Sequence, residues 1–428
     1  MTDTSHYITP DQLRIGLYVH IDLGWMDHPF TFNNFKIKDE GQIAEIRKLK
    51  LTRLRYDPAR SDCEPTPIAA PVQAAEESKV TDNAPAPTPE EMLQEEKTRR
   101  QQQRLAQLQQ AIAECEKKFG KATNEARQIE REILQAPARA MQQADLLVGG
   151  MVESLLTEGE IVLHAMQPKP GAIEHHTHTL NVAVIALILA KSLDMSAEDA
   201  IRLGLGALFH DIGKSQMPDR ITRKTEPLTK AELSLIQQHS AMGAKFASEA
   251  GMHEQVVRII LQHHECVDGS GYPGKLKGEQ IDRLSRIAAI ANLYDNLCNP
   301  LNVAQAMTPY EALSHMFAHQ RSKYDAEVLK LLIKNFGVYP PGSLVRLSSG
   351  DHGIVVSVNP SKPLRPYVLL HAPEVPRDKP QIVNLGEEAS LSITHCLRQN
   401  QLAKDILDYL QPATRINYFF DKEPGGEA

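Results

Sequence analysis

Hydrophobic residues in the middle of the chain recur at helical spacing. From Ala140 to Asn335, apolar positions lie three and four residues apart almost throughout, and this period predicts a domain of packed α-helices. The most apolar run, Leu180 to Ala190, has eleven residues, whereas a membrane-spanning helix needs about 20 residues. We therefore expect a buried helix here and no membrane span.

The segment before this domain predicts one long helix with an apolar seam. Two interpretations of this seam are open: a coiled coil that forms a homodimer, or a long helix that lies on its own domain. Gly120 beside the seam and the small Ala122 and Ala126 within it weaken a coiled coil. The seam residues alternate three and four positions apart and are Leu105, Leu108, Ile112, Cys115, Phe119, Ala122, Ala126, Ile129 and Ile133.

The two ends of the chain predict smaller units. Strand-like segments at 17–21 and 51–56 flank a short amphipathic helix at 42–49, which predicts a small α+β domain. The stretch that follows is rich in Pro, Ala, Glu and Thr and cannot bury enough apolar area to fold, so we expect an extended linker. Three apolar segments between residues 342 and 371 predict strands of a β appendage, and a short helix follows them.

The expected fold class is therefore mainly α. It consists of a helical bundle with a small N-terminal α+β domain, a long helix and a small C-terminal β appendage. The expected boundaries are 1–62 for the N-terminal domain, 63–89 for the linker, 90–139 for the long helix, 140–335 for the bundle, and 336–428 for the appendage and C-terminal tail.

Composition and charge narrow the class of protein. The 428 residues carry 47 basic and 54 acidic side chains, for a net charge of −7, and this balance argues against binding a nucleic-acid polymer, which needs a strongly basic surface. The five cysteines are scattered and form no CxxC pair, which excludes a disulfide framework and a cysteine-type zinc site. Because the N-terminus has no signal-peptide pattern either, we expect a cytoplasmic protein.

Polar clusters interrupt the apolar helices of the central domain. Glu174 and His178 are four residues apart and therefore project from one face of a helix. His210 and Asp211 follow directly after an apolar helix, and Lys214 comes one turn later. The remaining members of the set are His239, His263, His264 and Glu265.

These clusters predict a shared group of divalent cations. A buried polar group without a partner costs about 1–3 kcal/mol, and a metal centre satisfies several imidazoles and carboxylates at once. Histidine and carboxylate without thiolate favour Fe, Mn or Zn, and we expect Fe or Mn first. An aspartate flanked by histidines, such as Asp211, can bridge two cations, which is the usual arrangement for displacement at phosphorus. Lys214 would add positive charge at a phosphate oxygen.

A glycine-rich loop follows the double histidine directly. Its sequence is Asp268-Gly269-Ser270-Gly271-Tyr272-Pro273, and its two glycines let the backbone approach a ligand closely. A glycine-rich loop alone is a weak indication of function. One that is joined to His263 and His264 is a strong indication.

His210-Asp211, Lys214, the run from His263 to Glu265 and the loop at 268–273 resemble the motifs of the HD-GYP family. This family is a branch of the HD-domain metal-dependent phosphohydrolases, and the resemblance covers roughly residues 165–340. Residues 8–62 resemble the domain of unknown function that often precedes an HD-GYP domain in bacteria. The resemblance implies an all-α catalytic domain that holds two or three metal ions. It further implies hydrolysis of the second messenger cyclic di-GMP to linear pGpG and on to GMP, with a diguanylate cyclase or another signalling protein as partner.

The resemblance also implies roles for single residues. Asp211 matches the bridging metal ligand and, with Lys214, the catalytic pair. Glu174 matches an acidic residue at a third metal. The other implied metal ligands are His178, His210, His239, His263 and His264. The residues implied to bind substrate are Lys214, Asp268, Gly269, Gly271, Tyr272 and Arg286.

Two positions depart from the family pattern. Asn292 stands where a ligand aspartate is usual, and a neutral amide oxygen binds a hard cation more weakly than a carboxylate does. Cys266 stands where a basic residue is common. Asn292 opens a second interpretation, a catalytically weak receptor that binds cyclic di-GMP and signals through the long helix. A third is a hydrolase of another nucleotide, such as a hybrid cyclic dinucleotide, which the loop at 268–273 disfavours.

Overall fold

The structure is a computed structural model that divides into two compact units, residues 1–86 and 87–428. Most of the predicted linker, residues 66–88, lies outside the described residues. The described residues are 6–21, 34–49, 51, 53–65, 89–156, 161–166, 174–359, 361–375 and 380–422. Within these ranges, the side chains of 59, 89–98, 100–102, 104–105, 161–162, 174–176 and 421–422 are not described.

The first unit is a small antiparallel sheet with one helix. Its strands pair in the order β1-β4-β2-β3. The helix starts at Asp39, whose carboxylate accepts the Gln42 N–H at 2.9 Å, and it buries Ile43 and Ile46. The predicted α+β character is therefore confirmed. The elements are β1 (His6–Ile8), β2 (Tyr18–His20), β3 (Asn34–Lys36), α1 (Glu40–Lys48) and β4 (Leu54–Tyr56).

The second unit begins with the predicted long helix, α2 (Pro89–Glu132), followed by α3 (Pro137–Leu156). The seam residues from Cys115 to Ile133 are buried in one hydrophobic core with α3 and the helices that follow. The long helix therefore lies on its own domain. A homodimer through the earlier part of the seam stays a prediction, because Ile112 is only half-buried and the side chain of Leu105 lies outside the described residues. The buried seam residues are Leu108, Cys115, Phe119, Ala122, Ala126, Ile129 and Ile133.

A bundle of helices makes up the centre of this unit, and the mainly α prediction is confirmed. The apolar run at 180–190 lies in α4 and is buried. Among the described residues, no helix is both long enough and apolar enough to cross a membrane. The helices are α4 (Glu174–Ser192), α5 (Ala197–Phe209), α6 (Asp219–Thr222), α7 (Lys230–Gln237), α8 (His239–Glu249), α9 (Glu254–Gln262), α10 (Arg283–Cys298), α11 (Pro309–His315) and α12 (Ala326–Phe336).

A seven-stranded antiparallel sheet joins the C-terminal region to this bundle. Its main path runs β10-β6-β7-β5-β11, and β8 pairs with both β7 and β9. One strand, β5 (Ile161–Met166), lies where the sequence predicted helix, and it pairs along its whole length with β11 (Asn417–Lys422). The other elements are β6 (Leu344–Leu347), β7 (His352–Ser357), β8 (Tyr367–Leu370), β9 (Ile382–Asn384), β10 (Ile393–Leu397) and α13 (Lys404–Leu410).

Candidate metal centre

The ends of four helices bring the predicted ligands together. His178 lies in the first turns of α4, and His210 with Asp211 follows the end of α5. His239 begins α8, and His263 follows the end of α9. The ligand atoms form two groups, and the atoms within each group lie within 4.8 Å of one another. One group is His178, His210 and Asp211, and the other is Asp211, His239, His263 and His264.

Asp211 belongs to both groups because its two carboxylate oxygens face different histidines. Oδ1 lies 3.3 Å from Nε2 of His239 and 3.9 Å from Nε2 of His263. Oδ2 lies 3.5 Å from Nε2 of His210 and 3.7 Å from Nε2 of His178. This is the arrangement in which one carboxylate can bridge two cations.

Backbone carbonyl groups determine which nitrogen of three histidines faces the centre. Nδ1 of His210, His239 and His263 lies 2.7 to 2.8 Å from a carbonyl oxygen three residues earlier in the chain. A carbonyl oxygen only accepts, so each Nδ1 carries a hydrogen, and Nε2 is the ring nitrogen that faces the centre. The accepting carbonyl groups belong to Ala207, Ile236 and Ile260.

The Nε2 atoms of the four histidines face one another in pairs at short distance. Nε2 of His239 and Nε2 of His263 are 3.1 Å apart, and those of His178 and His210 are 3.2 Å apart. Two lone pairs cannot hydrogen-bond to each other, and burial lowers the pKa of His210 and of His263, which favours their neutral forms. A cation held by these histidines would satisfy their nitrogens.

The charge of Asp211 complements these neutral rings. Burial disfavours its charge, yet the Lys214 ammonium and His210 hold the pKa of its carboxyl well below the usual range. Its Oδ1 is buried and accepts no hydrogen bond from the described part of the chain. Neutral imidazoles around an ionised carboxylate are the donor set that a divalent transition-metal ion takes. The residues present therefore fit a metal centre.

His178 is oriented by a carboxylate that the sequence did not assign to this role. Its Nδ1 lies 2.5 Å from Oδ2 of Asp295, which is buried in α10. Partners of this kind set the orientation of a ligand histidine and raise its basicity. The available indication was an acidic residue three positions after Asn292, on a helix already expected to supply a ligand.

Two predicted ligands remain predictions. Asn292 is buried in α10, and its Oδ1 accepts a hydrogen bond from Nδ2 of Asn296 at 2.6 Å. Glu174 begins α4, one turn before His178, but its side chain lies outside the described residues.

The glycine-rich loop is held against the ligands by Glu265. The buried carboxylate of Glu265 accepts the N–H groups of Gly274 at 2.5 Å and Leu276 at 3.0 Å. It is therefore an anchor of the loop. A Cβ atom at Gly271 would lie 2.5 Å from the carbonyl oxygen of His264 and would also clash with the N–H of Cys266, so only glycine fits there.

The other residues predicted to bind substrate differ in the contacts that they already make within the protein. The Tyr272 ring stacks on the His264 ring at 4.6 Å, and burial raises the pKa of its hydroxyl, which therefore keeps its proton. Gly269 adopts a positive φ of 84°. The exposed Asp268 accepts the N–H of Ser270 at 2.9 Å. Arg286 is ion-paired at 2.9 Å with Asp325, the N-cap residue of α12.

A pocket lies beside Lys214, whose Nζ is 2.6 Å from Oδ2 of Asp211. One of its walls comes from α2, a helix to which the sequence assigned no part in the site. The opposite side comes from α4 and the segment after α5. The residues that line it include Ala126, Ile129, Glu130, Thr179, Asp211, Lys214, Ser215, Asp219, Thr222 and Arg223.

Three family models match the chain. Residues 5–144 match a domain of unknown function (DUF3391), residues 161–328 match the HD domain, and residues 344–405 match a KOW domain associated with HD domain. The first match includes the whole of α2.

Several proteins are similar to this chain in sequence. The chain is 29% identical over 383 residues to a cyclic di-GMP phosphodiesterase of Pseudomonas aeruginosa, and the match covers 88% of this chain and 87% of that protein. It is 26% identical over 238 residues to cyclic di-GMP phosphodiesterase PdeB of Borreliella burgdorferi, across 55% of this chain and 63% of that protein. It is 34% identical over 165 residues to 3'3'-cGAMP-specific phosphodiesterase 1 of Vibrio cholerae, across 38% of each chain.

The helical bundle and its histidine–aspartate cluster define an HD-domain protein. Within that class, the chain resembles the HD-GYP family, with a match to DUF3391 before the HD domain and a match to a KOW domain after it. The resemblance read from the sequence is thereby confirmed.

Proposed function

We propose that this chain is a metal-dependent phosphodiesterase that hydrolyses cyclic di-GMP to pGpG and on to GMP. The observation that carries the proposal is the position of Asp211, whose two oxygens face two histidine pairs while Lys214 lies 2.6 Å from one of them. The names of the Pseudomonas and Borreliella relatives support the choice of substrate. A cytoplasmic location and a diguanylate cyclase as partner belong to the same proposal.

The resident cofactors in this proposal are two or three divalent cations. Fe or Mn suits imidazole and carboxylate ligands without thiolate. When bound, such ions activate water and neutralise charge on a phosphate group. Glu174 and Asn292 would complete the centre. Its main ligands would be His178, His210, Asp211, His239, His263 and His264.

The protein groups around the centre have separate tasks. The Lys214 ammonium is one turn from Asp211 and lines the pocket, where it can donate to a non-bridging phosphate oxygen. Tyr272 keeps its proton and can donate to a phosphate or a base. The pocket between α2 and Lys214 is where we place one half of the dinucleotide, and Arg223 at its rim offers charge to the second phosphate.

The test is metal analysis of anaerobically purified protein, together with chromatographic identification of the products formed from cyclic di-GMP. We expect bound Fe or Mn in the wild type, and loss of metal and hydrolysis in His210→Ala and Asp211→Ala with the fold retained. His319→Ala, at an exposed histidine outside the cluster, is the control. Full activity in both ligand variants contradicts the proposal. Faster hydrolysis of 3'3'-cGAMP would change the substrate and leave the reaction in place.

A second function, a catalytically weak receptor for cyclic di-GMP, is favoured by Asn292. An aspartate at this position keeps the oxygen that accepts the 2.6 Å hydrogen bond from Asn296, so Asn292→Asp changes charge with little change in shape. A large gain in turnover supports the receptor, and unchanged turnover counts against it. Asn335→Asp, on α12 and half-buried, is the matched control.

A further inference from the structure

The buried carboxylate of Asp295 lies behind the metal centre. Its described hydrogen bonds are all with polar side chains. Asp295 is 1% exposed, and its Oδ2 lies 2.5 Å from Nδ1 of His178. Its Oδ1 accepts hydrogen bonds from two amides, Nδ2 of Asn181 and, at 2.8 Å, Nδ2 of Asn299. The position of Asp295, and with it the orientation of His178, therefore depends on two asparagines from different helices or their ends.

The same two amides hold the backbone where the last strand, β11, begins. Asn181 donates from Nδ2 to the carbonyl oxygen of Ile416 at 3.1 Å, and its Oδ1 accepts the N–H of Tyr418 at 2.7 Å. Asn299 donates to the same carbonyl at 2.7 Å, and its Oδ1 accepts the N–H of Ile416 at 2.8 Å. Each amide therefore bridges Asp295 and the C-terminal strand.

The chemistry of the partners requires an amide at both positions. An ionised carboxylate and a backbone carbonyl only accept, and a backbone N–H only donates. The NH₂ group of Asn181 and of Asn299 must therefore point to Asp295 and Ile416, and the C=O group must point to the strand N–H. Aspartate would oppose the carboxylate of Asp295, and an aliphatic residue would leave buried polar groups unpaired.

The strand that these amides hold also makes extensive contacts with the rest of the domain. The Tyr418 side chain is fully buried, its hydroxyl is 2.8 Å from that of Tyr294, and its ring contacts the Phe336 ring at 5.0 Å. Pairing with β5 extends over all six residues of β11. Movement of this strand would pull on both amides at once.

We propose that Asn181 and Asn299 are positioning residues that couple the seating of the C-terminal strand to the orientation of His178 through Asp295. The C-terminal strand thereby completes the half of the metal centre that contains His178. This inference rests on the proposed metal centre and is independent of the substrate. Because coupling between two sites is reciprocal, metal binding also tightens the strand.

Hydrogen–deuterium exchange on the full-length protein, with and without Mn²⁺, tests this coupling. In the wild type, we expect Mn²⁺ to slow amide exchange in residues 415–422. In Asn299→Ala, this protection disappears and Mn²⁺ affinity falls about 10-fold, in the range found for groups that orient metal ligands. Asn299 is only half-buried, so this variant avoids the fully buried Asn181.

A control separates positioning from general loss of stability. Asn335→Ala removes a half-buried amide that contacts Ser192 and the Leu331 carbonyl and takes no part in this chain of hydrogen bonds, so it should keep wild-type Mn²⁺ affinity.

Three results would overturn the coupling. They are exchange in 415–422 that does not respond to Mn²⁺, wild-type Mn²⁺ affinity in Asn299→Ala, and an equal loss of affinity in Asn335→Ala. None of these measurements uses cyclic di-GMP, so a failure of the proposed hydrolysis leaves the coupling intact. A wild-type protein that binds no divalent cation would end both proposals.

Discussion

The carboxylate of Glu265 accepts the backbone N–H of Gly274 at 2.5 Å. This acidic residue is adjacent in sequence to the double histidine, yet its described hydrogen bonds go to the glycine-rich loop. The loop and the candidate ligands are thus joined through one buried side chain. Loss of that side chain should disturb the loop and spare the metal.

Glu265→Ala removes the acceptor of two backbone N–H groups, of which that of the half-buried Leu276 costs about 1–3 kcal/mol when it is left without a partner. We expect hydrolysis of cyclic di-GMP to fall at least about 10-fold, since ~1.4 kcal/mol corresponds to a factor of ten, while metal content per chain stays at the wild-type value. Steady-state kinetics and elemental analysis check this. The exposed Glu279→Ala is the control, and loss of metal from Glu265→Ala would show that Glu265 acts on the centre directly.

Gly271→Ala should abolish activity by displacing the loop. The new Cβ would meet the carbonyl oxygen of His264 at 2.5 Å, and this backbone atom cannot rotate away. The matched control is Gly278→Ala, where a Cβ meets nothing within 4 Å at a φ of 50° and the backbone strain is only about 1–2 kcal/mol. Thermal unfolding and turnover are compared for both variants. Equal turnover in the two would refute the close approach at Gly271.

Lys214→Met should lower kcat by about 10²–10³-fold, the usual cost of removing a donor that stabilises charge in a transition state. Lys214→Arg keeps the charge and should retain part of the activity. Lys245→Met, on the exposed face of α8, controls for loss of a surface lysine. A change in KM alone for Lys214→Met would assign Lys214 to substrate binding without a part in the chemical step.

Arg223→Ala tests the pocket between α2 and Lys214. Arg223 lines this pocket and is exposed, so its loss should raise KM for cyclic di-GMP about 2- to 5-fold, as expected for a solvated charge pair worth up to ~1 kcal/mol. The value of kcat should not change. Arg220→Ala, three residues earlier and outside the pocket lining, should leave KM unchanged. An equal effect of both variants would mean that the general surface charge is responsible.

The periodicity of hydrophobic residues was enough to predict the helical bundle, the long helix and the small N-terminal unit, because these depend on local spacing. It could not decide what covers the seam of α2. A heptad pattern reports only that one face is apolar, and here Phe119 and Ile129 meet their own domain. The periodicity could not predict the strand β5 either, because Ile161–Met166 is a strand only through its pairing with β11 near the C-terminal end of the sequence.

For the candidate site, too, the sequence predicted one part and only the tertiary structure shows the rest. Residue type and motif were sufficient to identify His210, Asp211 and the double histidine as candidate ligands. Only the packed structure separates the two oxygens of Asp211 between two histidine pairs, turns Glu265 to the loop and brings Asp295 to His178. The reason is physical: spacing along one helix determines which side chains share a face, whereas distances between helices depend on how the whole core packs.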